Sequence, residues 1–374
     1  MMNILHINLN FYESSLYLKF NEALINNGCN SDVLFPTLVN FELGNPPDYL
    51  IVRKALNKYD RYLFKYRNRK IINLIEEGDI ISNYDLLHAH SLFSNGYIAY
   101  TLNRLYGIPY IVAVRNTDMN HFFKKRIFLR NIGFEILKNA KKVVFLSEPY
   151  KHLLLDKYIP VELKEELVTK IEVIPNGIDE YWHKNKYRFR KYEYGDPLNI
   201  LSVGVVNKNK NILTSIKACE MLIRDKNLDV QLTVIGDVED KKIYNEMKKY
   251  KFVKYIPSMD KNKLVHYYRN ATVFLMPSIN ETFGLVYAEA MSQGLPVLYS
   301  KGQGFDEQFS DGEVGYAVEK RNPLDIANKI LLVLDNYADI SRRCLKLVDR
   351  FDWNEISRYY INLYKKIVCE ELNN

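Results

Sequence analysis

The sequence predicts an α/β protein of two doubly wound parallel-sheet domains in series. Three observations carry this expectation. Short apolar segments alternate with amphipathic ones along nearly the whole chain. The apolar segments lack the period-two polarity of half-solvated strands, as expected for parallel sheets covered on both faces. The alternation also breaks at a polar stretch near the middle and then restarts, and 374 residues are too many for one ordinary core.

The elements follow in order. Asn3–Asn8 reads as a first strand, and Leu16–Asn26 as a helix stopped by Asn27-Gly28. Ser31–Phe35 is a strand, and a basic, aromatic region then leads to a short strand at Leu86–Ala89. Tyr97–Tyr106 is a helix closed by Gly107, with Pro109 beyond it, and Tyr110–Val114 is a buried-type strand. Ile127–Ala140 is helical, Lys142–Ser147 and Lys170–Pro175 are strands, and Pro175-Asn-Gly177 is a turn. His183–Tyr194 is polar and aromatic, ends at Gly195-Asp-Pro197, and is taken as the linker. Beyond it, strands at Leu198–Val203, Val230–Ile235, Phe252–Ile256, Thr272–Met276 and Pro296–Ser300 alternate with helices at Ile212–Asp225, Lys241–Tyr250, Lys261–Arg269, 284–293 and Pro323–Tyr337. The expected boundaries are 1–185, 195–350 and a final helical segment, 351–374.

Bulk properties narrow the function. The four cysteines, Cys29, Cys219, Cys344 and Cys369, include no Cys-x-x-Cys pair, so neither a zinc site nor a disulfide framework is expected, and a reducing cytoplasm fits best. No apolar run reaches the ~18–20 residues of a membrane span, and Met1–Ile7 reads as a strand rather than a signal segment. A net charge of +7 suggests anionic partners. The charge is crowded into residues 53–70, where Arg53, Lys54, Lys58, Arg61, Lys65, Arg67, Arg69 and Lys70 interleave with Tyr59, Tyr62, Phe64 and Tyr66, and into 122–130. Basic residues mixed with aromatics suit an anionic membrane surface or a lipid-phosphate acceptor; the plain alternative is a solvated basic helix face. No nucleic-acid module is present, and nucleic acid is not an expected partner.

Ligands of such sheets bind beyond the carboxyl ends of the strands. One such junction reads Met276-Pro-Ser-Ile-Asn-Glu281-Thr-Phe-Gly-Leu-Val-Tyr-Ala-Glu289. The backbone N–H groups of Phe283, Gly284 and Leu285 open a helix there and form an anion or hydroxyl site. Glu281 and Glu289 are eight residues apart, about 12 Å at most if helical, and within ~80° of one face. Carboxylates so placed suit two sets of hydroxyls better than an acid/base pair at one bond. Two surface glutamates would show the same spacing; the whole phrase, continuing to Gly294-Leu-Pro-Val297, is more specific.

That phrase resembles the hallmark of the retaining glycosyltransferases of family 4, in which Glu is followed by seven residues and a second Glu. The resemblance implies the two-domain GT-B architecture, with Rossmann-like domains facing a cleft. It implies a nucleotide-diphosphate sugar donor (a UDP- or GDP-sugar) and a glycan or lipid-linked acceptor, in cell-surface polysaccharide or glycoconjugate synthesis. By the same resemblance Glu281 contacts the donor sugar, Glu289 the ribose, and Lys210 the diphosphate. Gly204 heads the loop Gly204-Val-Val-Asn-Lys-Asn-Lys210, and Lys208 stands in for an Arg that the family carries where this chain has Val205. Base recognition falls near Ile256–Ser258, so Ser258 is a donor-side candidate. Catalysis is expected without metal or other cofactor, since no Asp-x-Asp motif occurs.

The first domain departs from the family pattern. The loop Asn8–Ser15 lacks glycine, which leaves Ser14 and Ser15 as donors at a helix start. Where the family has His-Gly, this chain has Arg115-Asn116-Thr117-Asp118. Arg115 is a catalytic candidate that cannot act as a base, and Asn116 and Asp118 are acceptor-side candidates. This fits a mechanism in which the leaving phosphate takes the acceptor's proton. His88 and His90 end a strand; alternation along the strand is read as setting them against joint metal coordination, and His90 is assigned to the acceptor side or to structure. Two other readings stay open: a catalytically degenerate subunit that binds glycan or protein, and a nucleotide-sugar epimerase of the same fold.

Overall fold

The computed structural model describes residues 2–372 except 43 and 79. The side chain of Arg61 in the basic run and residues 373–374 of the tail lie outside the described residues. By packing, the chain forms two units. The first is Met1–Leu146 with Tyr150–Asn176 and Trp353–Asn374; the second is Ser147–Pro149 with Gly177–Asp352.

The sheet of the first unit contains β1 (Asn3–Ile7), β2 (Asn30–Leu38), β3 (Leu50–Leu56), β4 (Leu86–Ala89), β5 (Tyr110–Ala113), β6 (Lys142–Phe145) and β7 (Ile171–Val173). All pair in parallel, in the order β3-β2-β1-β4-β5-β6-β7. The sheet of the second contains β8 (Leu198–Val203), β9 (Val230–Ile235), β10 (Val253–Ile256), β11 (Val273–Met276), β12 (Val297–Ser300) and β13 (Gly315–Val318), in the order β10-β9-β8-β11-β12-β13. Every residue of β4, β5, β11 and β12 is buried, which explains why these strands read as continuous apolar runs. Parallel neighbours need crossovers, and the intervening helices supply them.

The structure adds elements to those read from sequence. β3 is an edge strand carrying Arg53 and Lys54, and such edges are charged because one side stays unpaired. The basic stretch continues as a helix, Phe64–Glu77, that buries Phe64, Asn68, Ile71, Ile72 and Ile75 at three- and four-residue spacing. Its charges occupy the opposite face, which masks the period. Helices Glu148–Lys157, Val161–Lys170 and Tyr337–Leu347 and the strand β13 are also additional. Residues 177–185, placed with the first domain from sequence, belong to the second unit. There Ile178 N–H donates to the Phe351 carbonyl at 2.9 Å and buried Trp182 lies 5.4 Å from the Tyr268 ring. The last helix, Trp353–Leu372, buries Trp353, Tyr360 and Tyr364 in one cluster with Ile4, Phe20, Leu24 and Ile111 of the first unit. No helix among the described residues is long and apolar enough to cross a membrane.

Candidate functional site

In the second unit the strand order reverses between β8 and β11. A crevice opens at such a switch point beyond the carboxyl ends of the strands. The loop after β8 carries Gly204, Lys208 and Lys210; the loop after β11 carries Glu281. Lys210 Nζ donates to Glu281 Oε2 at 2.8 Å, so the two candidates meet across the switch point. Their side chains are 21% and 15% exposed, enough to reach a ligand while largely shielded from water.

Asparagines fix these loops. Asn207 Oδ1 accepts from the N–H groups of Asn209 and Lys210 at 3.0 and 3.2 Å, forming the turn that aims Lys210. Asn209 then joins the two loops: its Nδ2 donates to the Asn280 carbonyl at 2.9 Å, its Oδ1 accepts from Asn280 N–H at 3.0 Å, and its carbonyl accepts from Ile279 N–H at 2.7 Å. Glu281 N–H donates to Gln303 Oε1 at 2.9 Å. Gly304 N–H donates to the Glu281 carbonyl at 2.8 Å, and a Cβ on Gly304 would lie 1.9 Å from the Thr282 carbonyl oxygen, so only glycine permits this approach.

The helix beyond, Leu285–Ser292, starts after Gly284, whose φ of 79° is left-handed. A Cβ there would fall 2.4 Å from the Tyr287 ring, which is anchored by its hydroxyl donating to the Met276 carbonyl at 2.6 Å. Among the described residues, no protein acceptor faces the backbone N–H groups of Phe283, Gly284 and Leu285. The Phe283 side chain is buried beside Phe351, with ring centroids 5.6 Å apart, so only its backbone can serve a ligand. Glu281 precedes the helix instead of riding on it, so the helical-face argument for its spacing from Glu289 does not apply. What positions Glu289 is Tyr268, whose hydroxyl donates to Glu289 Oε2 at 3.1 Å. Burial and the Glu289 charge raise the pKa of this phenol, which stays a donor.

The remaining donor-side candidates are more peripheral. Lys208 is exposed. Ser258, exposed beyond β10, donates its hydroxyl to Asp237 Oδ1. A cavity of about 700 Å³ elsewhere in this unit sets the carboxylates of Asp306, Glu307, Asp311, Glu313, Glu319 and Asp325 against Lys301 and Lys329, a net negative lining unsuited to a diphosphate.

The first unit has the same kind of switch point, between β1 and β4. Beside it, on the helix-covered face of the sheet, lie His6 of β1, His88 of β4 and His90 just beyond β4, which are 1%, 0% and 4% exposed. His6 Nδ1 lies 2.9 Å from His90 Nε2, and His88 Nδ1 lies 2.7 Å from the Tyr364 hydroxyl. The His88 and His90 rings stack with centroids 4.3 Å apart. Residues two apart on a strand share a face, so the sequence reading that set these rings against each other is corrected. One ring nitrogen from each of the three lies within 4.8 Å of the others, which makes this the cluster most able to offer imidazole ligands. The pair at 2.9 Å is closer than two ligands around one zinc, and Phe20, Tyr360 and Tyr364 surround the rings; the arrangement fits a packed neutral core. Burial lowers all three pKa values, that of His6 to about 3.

The other first-unit candidates are largely committed to the loop. Asp118, 1% exposed, accepts from the N–H groups of Leu92, Phe93 and Arg115 at 3.0, 3.0 and 2.8 Å. Burial nevertheless raises its pKa to about 6. Arg115 Nε donates to the His90 carbonyl at 3.3 Å, while its Nη1 is buried with no acceptor. Asn116 accepts from Asn120, and Ser14 Oγ caps a helix by accepting from Leu16 N–H at 3.2 Å. Sequence reasoning missed Asn207, Asn209, Gln303 and Tyr268. The run Asn207-Lys-Asn209-Lys-Asn211 carried a turn signal; Tyr268, on a separate helix, carried none.

Comparison with known proteins finds a family model for each part of the chain. The family model described as glycosyltransferase family 4 matches residues 18–181, and that described as glycosyl transferases group 1 matches 183–348. An uncharacterised glycosyltransferase of Methanocaldococcus jannaschii is 28% identical over 270 residues, 71% of this chain and 68% of that protein. A D-inositol 3-phosphate glycosyltransferase of Paenarthrobacter aurescens is 24% identical over 322 residues, 79% of this chain and 78% of that protein. Among solved structures, sucrose-phosphate synthase of Thermosynechococcus elongatus superposes with a TM-score of 0.75 at 18% identity, covering 99% of this chain and 100% of that one. Anabaena HepE in complex with UDP and glucose gives 0.69 at 15%, covering 98% and 100%. The two family matches run end to end over most of the sequence, and this chain is a glycosyltransferase of the group 1 and family 4 type with the GT-B fold.

Proposed function

We propose that the chain transfers a sugar from a nucleotide-diphosphate donor to a glycan or lipid-linked acceptor, with retention at the anomeric carbon and without metal. The observation that carries this reading is the Lys210–Glu281 pair across the β8/β11 switch point, beside three unspent backbone donors at Phe283–Leu285. A diphosphate supplies the anion for Lys210 and for the helix start. Glu281, released from Lys210, accepts from sugar hydroxyls, and Glu289, oriented by Tyr268, accepts from a ribose diol. As the sugar–phosphate bond breaks, charge grows on the diphosphate, and Lys210 with the three N–H groups stabilises it more than the ground state. The acceptor oxygen bonds the anomeric carbon as the leaving phosphate oxygen takes its proton, and Arg115 is the first-unit cation read as facing the acceptor.

The basic-aromatic segments favour an acceptor at an anionic membrane surface on the cytoplasmic side. They adjoin within the first unit: Phe64 and Phe122 have ring centroids 6.0 Å apart. Tyr59, Tyr62, Tyr66, Ile127 and Phe128 are 55–79% exposed around them. Flotation with phosphatidylglycerol-containing vesicles, but not neutral ones, is the expected behaviour, and equal flotation would contradict it.

The direct test offers a panel of UDP- and GDP-sugars with candidate acceptors and follows nucleoside diphosphate release, with the product anomer assigned by NMR. An α-product from an α-donor supports the reading. An inverted product removes retention, and no release with any donor removes the proposal. Intact Glu281, Lys210 and Glu289 count against a degenerate binding subunit, and these motifs fit epimerisation less well than transfer.

A further inference from the structure

The first unit has a cavity of about 300 Å³ with mixed polar and apolar walls beyond the carboxyl ends of β1, β2 and β3. Its walls include Asn10, Thr37, Lys58, Asp60, Arg67 and Ser94. Arg67 is unusual among them. Its Nη2 donates to Ser94 Oγ at 3.0 Å, but its Nε is buried with no acceptor. A shielded guanidinium carries a desolvation cost that an anion in the adjoining cavity offsets through its charge. Burial and the nearby Arg126 charge act against the cation at Arg67, and the Asp60 charge offsets this only in part, so its pKa stays lowered. The one acid in the wall, Asp60, is already engaged, accepting from Asn57 N–H at 2.9 Å and from Lys70 Nζ at 3.1 Å. Ser94 begins the helix Ser94–Tyr106, whose positive end adds to the field in the cavity.

We propose that this cavity binds a phosphoryl group on the acceptor, with Arg67 as its principal ligand, Lys58 as a second cation and the Ser94 hydroxyl as a neutral donor. The inference rests on reading the first unit as the acceptor side. A planar guanidinium held by Ser94 presents a fork that matches two phosphate oxygens, which a lysine at this place does not. Phosphate fits better than carboxylate because a doubly charged group meets two cations and a helix start. The exposed rings of Tyr59, Tyr62 and Tyr66 beside the cavity suit a phosphate on an amphiphile, and a soluble phosphomonoester shares the same chemistry.

The test uses full-length protein with Lys210→Met in every variant, to silence the anion site of the second unit. Two probes are titrated: glycerol 3-phosphate in solution, and phosphatidic acid in phosphatidylcholine vesicles against phosphatidylserine at equal surface charge. Saturable binding of one or both is expected. Arg67→Met should weaken it by tenfold or more, Arg67→Lys should fall between, and the exposed control Lys138→Met should match the parent. Saturation by the soluble ester identifies a water-soluble acceptor, and preference for phosphatidic acid identifies a lipid. Binding of neither probe, or equal binding by Arg67→Met with unchanged circular dichroism, overturns the proposal. Nucleoside diphosphate binding, measured with Lys210 restored, should be unaffected by Arg67→Met, so failure of the donor reading and failure of this one are told apart.

Discussion

The two switch points share one topology and differ in nearly everything else. Between β8 and β11 lie a Lys–Glu pair, asparagine-stitched loops and a helix start with unspent donors. Between β1 and β4 lie three buried neutral imidazoles, stacked on one another and closed over by Phe20, Tyr360 and Tyr364. The fold places a crevice at both positions, and side chains decide whether it is used. One switch point carries a reachable charged pair; at the other the imidazoles are core, and the loops after β1 and β4 line a cavity that holds the Arg67 guanidinium instead.

Acid should separate the two units most. His6, His88 and His90 have folded pKa values depressed below the ordinary 6.5. Their stabilisation is therefore present above pH 6.5 and is lost as pH falls, because the unfolded chain takes up protons the folded chain refuses. At pH 5 the loss is about 2 kcal/mol for His6, and His88 and His90 act in the same direction. Asp118, with its pKa raised to about 6, acts in the opposite sense and offsets about 1 kcal/mol there. The second unit has only His183 and His266, neither buried. Hydrogen exchange at pH 5 should thus show residues 3–145 losing protection well before 198–347; simultaneous loss would erase the contrast.

Removing the charged pair should affect chemistry rather than folding. Glu281→Gln is expected to lower turnover by about 10²–10³, the scale of a lost transition-state contact, with an unchanged melting temperature. Unaltered turnover would demote the pair to a structural ion pair. Gly284→Ala should cost about 1–3 kcal/mol in stability, from its left-handed backbone and the Tyr287 ring 2.4 Å from the new Cβ; thermal denaturation measures this. Tyr268→Phe is the mildest change, with donor affinity expected to fall about 5- to 10-fold as Glu289 loses one hydrogen bond.

Much of the fold was legible because buried parallel strands are written as apolar runs, as Val273–Met276 and Tyr110–Ala113 illustrate. The helix Phe64–Glu77 was obscured because its charges attract more notice than five core residues spread over it. At the site, Glu281, Gly284 and Lys210 were legible as motif positions. Their supports were not: Tyr268 reaches Glu289 across 21 residues and Gln303 reaches Glu281 across 22, and no local pattern encodes such pairings. His90 illustrates the converse, a residue noticed for its chemistry whose burial makes it core. The cavity at Arg67 emerges only when Ser94, 27 residues away, folds beside it.

The central claim is that Lys210 at the β8/β11 switch point holds the donor's diphosphate. Calorimetric titration of UDP and GDP into the intact chain, into Lys210→Met and into Lys138→Met tests it most directly. The account predicts saturable binding of at least one nucleotide, weakened tenfold or more by Lys210→Met and unchanged by Lys138→Met. Equal affinity in the Lys210→Met variant, or no binding of either nucleotide to the intact chain, would contradict it.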